Sequence, residues 1–169
     1  MNSIKVLNTL LNVILVLLII SVGVTIVFGV LFLTGVRSSI ITSDTPLLNF
    51  TSDPLLYVFG GILLIVYVLF TFGVWQLRKA ATIFLNDSFY ASKVLKPLLL
   101  AGKSFVVAGI FAWLIDGLSS IHFGNQLAMS ISDNTFIYLF ITSIGLFIML
   151  MSSVIEKAIN LKNENDLTI

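Results

Sequence analysis

Four long apolar runs separated by short polar stretches limit this chain more than any other feature. They occupy residues 10–34, 55–77, 98–118 and 134–155. A bilayer's hydrocarbon core is about 30 Å thick, and about 20 helical residues cross it. Inside hydrocarbon every backbone N–H and C=O must be bonded internally, so runs of this kind are expected to be helices. A water-soluble domain would need about 25% charged residues to form its solvated shell. Only 10% of the 169 residues are charged and 58% are hydrophobic, so that shell is missing. The expected fold is all-α: a four-transmembrane-helix bundle forming one integral membrane domain over residues 1–169.

The punctuation between the runs supports those boundaries. Residues 1–9 are a short polar start carrying Lys5. The first run exceeds the roughly 7–15 apolar residues of a cleaved signal peptide, so it reads as an uncleaved span. Ser52-Asp53-Pro54 places a capping oxygen before a first-turn proline, and Ser132-Asp133 is a second cap. The second run stops at Arg78-Lys79, and Pro97 opens the third. The two caps, each followed by interfacial aromatics, form a faint echo about eighty residues apart. Two helix starts at one membrane surface need similar residues, so a duplication is the weaker explanation.

Cations set the orientation. Lys5, Arg78, Lys79, Lys93, Lys96, Lys157 and Lys162 fall on one side of the four spans, against Arg37 alone on the other. Cytoplasmic loops carry the excess of Lys and Arg. Both termini and a basic central loop, residues 78–96, are therefore expected in the cytoplasm, with short loops outside. The central stretch also carries Phe89 and Tyr90, and aromatics beside lysines suit a segment lying on an anionic leaflet.

Chemistry is sparse. A net charge of +1 gives no basic face for direct nucleic-acid binding. There is no cysteine, and the single His122 has no serine, cysteine or metal set at a diagnostic spacing. No catalytic residue, cofactor-binding residue or metal ligand is expected, and the chain does not read as an enzyme. Charges within or beside spans are the default functional candidates in a membrane protein, here Lys103, Asp116, Glu156 and Arg37. Gly102, Gly109 and Asp116 recur every seven residues, so one stripe of the third span should face another helix. Gly145, Ser152 and Glu156 should share a face of the fourth span. Lys103 could pair with Glu156 and Asp116 with Arg37, or Lys103 could simply snorkel to the surface. Gly60-Gly61 is better explained by helix packing than by phosphate binding.

The closing string of the chain, with Leu161, Glu164, Asn165, Asp166, Leu167, Thr168 and Ile169, resembles that of a bacterial family, domain of unknown function 2975. Phe89, Lys93, Lys96 and Gly102 approximate further family features, although Pro97 fits poorly. The resemblance implies a small four-span protein of the bacterial cytoplasmic membrane with no established activity. It also implies frequent pairing with a small helix-turn-helix regulator.

The expected function is regulatory or accessory: a cytoplasmic surface presented to a cytosolic partner. Its candidate residues are Arg78, Lys79, Phe89, Tyr90, Lys93, Lys96, Glu164, Asp166, Leu167 and Ile169. The tail could be captured as a strand by that partner, or fold back onto the loop lysines. The alternative is a small transporter, channel or toxin-immunity protein, for which only a homo-oligomer could line a polar path.

Overall fold

A computed structural model describes residues 2–33, 54–86, 92–124 and 133–166. Four helices account for nearly all of them: α1 (Asn2–Leu33), α2 (Pro54–Asn86), α3 (Leu95–Gly124) and α4 (Asp133–Asp166). A single 3-10 turn at Ser92–Val94 leads into α3. Each of the four is long and apolar enough to cross a membrane, so the protein is a multi-pass membrane protein. Among the described residues there is no strand.

The starts of α2 and α4 agree with the capping signals, at Pro54 and Asp133. Other limits extend beyond expectation. The polar start is helical from Asn2, since no residue before Leu10 breaks a helix. α2 runs through Arg78-Lys79 to Asn86. Both cations are good helix formers, and burial of Ala80 and Ala81 against Val94 and Ala101 stabilises the extra turns. Much of the expected central loop is therefore helix. Pro97 lies in the first turn of α3, where its missing N–H leaves no bond unmade. α3 continues to Gly124, so the backbone of His122 is helical and not part of a loop.

Successive helices are antiparallel neighbours, and the principal contacts join α1 to α2, α2 to α3 and α3 to α4. The bundle is consequently open, with α3 inside and α1 and α4 at its edges. Half of the α3 span is buried, against 6% of the α1 span. The α2-facing stripe of α3 consists of Leu98, Ala101, Phe105, Ala108, Ala112 and Ile115, all buried. Phe105 packs its ring against Phe70 at 5.3 Å, directly over Gly73, where any Cβ would lie 2.8 Å from that ring.

The seven-residue stripe of α3 does face another helix. A Cβ on Gly102 would lie 2.8 Å from the Gly145 carbonyl oxygen, and one on Gly109 would lie 2.9 Å from that of Tyr138. On the opposing side, a Cβ on Gly145 would lie 2.8 Å from the Gly102 oxygen. Backbones approach this closely because lipid supplies no hydrophobic drive between helices, and dispersion contacts must replace it. Gly60-Gly61 is different: a Cβ on either would meet nothing within 4 Å, so neither glycine is there to admit a neighbouring helix of this chain.

Candidate functional site

Antiparallel alternation collects Lys5, Arg78, Lys79, Lys93, Lys96, Lys157 and Lys162 at one end of the molecule. Lys79, Lys93, Lys96, Lys157 and Lys162 are exposed there, and Arg78 is half-buried. The end is held by side-chain contacts between helices. The Thr82 hydroxyl lies 3.3 Å from Asn8 Oδ1 and 3.0 Å from the Arg78 carbonyl, tying α2 to α1. Buried Ser152 donates to the Leu95 carbonyl at 3.2 Å, tying α4 to the first residue of α3.

Beyond Ser152, α4 continues over residues 153–166, roughly 21 Å of further helix at 1.5 Å per residue. Ile159 is buried, but residues 160–165 are all exposed, including Leu161 and Glu164. Asp166 closes the helix, so the chain neither turns back nor becomes a strand before that residue. Phe89, Tyr90, Leu167 and Ile169 lie outside the described residues.

Of the proposed charge pairs, Lys103 and Glu156 do not meet. Gly102 packs at the level of Gly145 and Met149. Glu156 lies two turns beyond Met149, roughly 10 Å further along the axis. Both side chains are exposed. Lys103 projects from the same outer stripe of α3 as Lys96, the position from which a lysine snorkels. Gly145 and Ser152 are buried, but Glu156 departs from the buried face expected to join them. At the opposite end Asp116 is half-buried on α3, and Tyr138 of α4 packs against the cluster of Val66, Ala108, Ala112 and Ile115. The proposed partner of Asp116, Arg37, lies outside the described residues.

One feature escaped the sequence. An apolar groove of about 380 Å³ opens between α1 and α2, lined by Leu15, Ile19 and Val22 on one side and Val68, Phe72 and Trp75 on the other. Phe72 and Trp75 form an aromatic wall, with ring centroids 5.8 Å apart. The spacing of residues 68, 72 and 75 marks one face of a helix, but nothing in it says which helix lies opposite. Among the described residues, no group of three His, Cys, Asp or Glu side chains is arranged to hold a metal.

The family model described as Protein of unknown function (DUF2975) matches residues 42–169, which include all of α2, α3 and α4. The chain belongs to this family. No curated protein and no solved structure matches the chain. The match covers the tightly packed α3–α4 pair and the α2 wall of the groove; α1 precedes it.

Proposed function

We propose that this multi-pass membrane protein is a regulatory or accessory component whose cationic end lies in the cytoplasm and binds a cytosolic protein, such as a small helix-turn-helix regulator. The observation that carries this reading is the exposed run of residues 160–165 near the end of α4, beyond the start of α3. A helix that leaves the packed body and shows a mixed face of Leu161, Lys162 and Glu164 suits recognition in a partner's groove. The clustering of cations at that end favours the cytoplasmic orientation, because Lys and Arg accumulate on that side of bacterial membranes.

The chain has no cysteine, so single-cysteine variants report position cleanly. A membrane-impermeant thiol reagent should label N163C in inverted vesicles and not in intact cells; labelling in intact cells would reverse the orientation. A photo-crosslinking residue at position 161 should then capture one cytosolic protein, and deletion of residues 161–169 should release it. Unchanged partners, with altered ion flux across vesicles, would favour a transporter instead.

A further inference from the structure

We infer that the α1–α2 groove is a binding site for one anionic phospholipid of the leaflet at the cationic end. Its acyl chain would lie along Leu15, Ile19, Val68 and Phe72, and its phosphate would lie against Arg78 and Lys79.

Depth, charge and closure argue for this occupant together. The groove runs from Val68 to Trp75 along α2, and Arg78 follows one turn later. Ten residues of helix from 68 to 78 rise roughly 15 Å, which is one leaflet of a core about 30 Å thick. The groove occupies roughly 10 Å of that length, so it lies within one leaflet and opens toward the headgroup level at Arg78. Lys79 follows Phe72 and Trp75 on the same face of α2, at seven and four residues, so it stands at the mouth.

No carboxylate competes for these cations within the pair, since α1 and α2 contain no Asp or Glu, while they carry Lys5, Arg78 and Lys79. A zwitterionic headgroup would bring its own cation beside these cations, which an anionic one does not. Basic pockets between membrane helices attract anionic headgroups, at about 1 kcal/mol per cation near the surface. Two polar contacts also pin α1 to α2 on either side of the groove, Asn8 to Thr82 at the mouth and Ser21 to Tyr67 at 3.3 Å toward mid-membrane. The cleft between them is thus built into the helix pair. Thr71 spends its hydroxyl on the Tyr67 carbonyl at 2.9 Å, and the other described lining residues are aliphatic or aromatic.

The test uses the full chain with Trp113→Phe, which leaves Trp75 as the sole tryptophan, reconstituted into phosphatidylcholine vesicles. Brominated phosphatidylglycerol should quench Trp75 at a mole fraction roughly thirtyfold lower than brominated phosphatidylcholine, the ratio expected from two cations at about 1 kcal/mol each. The Arg78→Gln, Lys79→Gln double variant should lose the preference, while Lys93→Gln, Lys96→Gln, with the same charge change in the turn before α3 and its first turn, should keep it. If the first double variant misfolds by circular dichroism, Lys79→Gln alone should reduce the preference several-fold, because that side chain is exposed. Equal quenching by the two lipids overturns the assignment. So does a preference that survives loss of both cations, or that falls equally in both double variants. Shielding of Trp75 from both lipids that grows with protein density would also overturn it, and would place a second copy of the chain in the groove.

Discussion

α1 and α3 are alike in length and in their capacity to cross a membrane, yet they sit in opposite surroundings. Half of the α3 span is buried, whereas α1 buries little beyond Leu11 and Leu15. In water the more apolar helix would be drawn inside. In lipid that drive vanishes, because acyl chains solvate leucine as well as a protein core does. What separates the two helices is steric fit. α3 offers Ala101, Gly102, Ala108 and Gly109 to helices on two sides, so backbones approach to contact. α1 has glycines as well, but a Cβ on Gly23 or Gly29 would meet nothing within 4 Å. Small residues therefore act only where a second surface is shaped to use them.

The contrast can be broken most forcefully at Phe105, which joins the main core cluster and covers Gly73. Phe105→Ala should cost about 4 kcal/mol, read by reversible denaturant titration of helicity in mixed micelles. Gly102→Leu should cost about 3 kcal/mol, since a side chain there drives into Met149 and the Gly145 backbone. Gly23→Leu, the matching change in α1, should leave the same titration unchanged, and a similar loss at both sites would erase the distinction.

Within α1 itself, Leu15→Ala should cost about 2 kcal/mol while Leu17→Ala, at a 60% exposed position, should cost almost nothing. The smallest measurable loss is expected at hydrogen bonds between helices. Ser152→Ala should cost about 0.6 kcal/mol, detected as easier separation of α4 from α3 by cysteine cross-linking of the two helices.

The spans were legible because each has a length matched to the bilayer, and the second, third and fourth each have a cap or proline near the start. Helix ends were less so. Arg78-Lys79 marks where α2 leaves the hydrocarbon, but leaving the membrane does not end a helix whose next residues, Ala80 and Ala81, still pack. The same holds for α4, where Glu156-Lys157 follows the apolar run 134–155 yet the helix continues to Asp166. The glycine stripe could be read from spacing. The Lys103–Glu156 pair could not, because its depth depends on the register at Gly102 and Gly145.

The sequence by itself determined four runs long and apolar enough to cross a membrane as helices, since lipid admits no other backbone for such runs. It also determined which end carries the cations, because antiparallel alternation leaves no other arrangement. The tertiary structure alone decided that α3 lies inside, that α1 stands at an edge, and that a groove opens between α1 and α2. Those outcomes depend on how surfaces fit within contact distance, and four runs of similar apolarity contain no record of that fit.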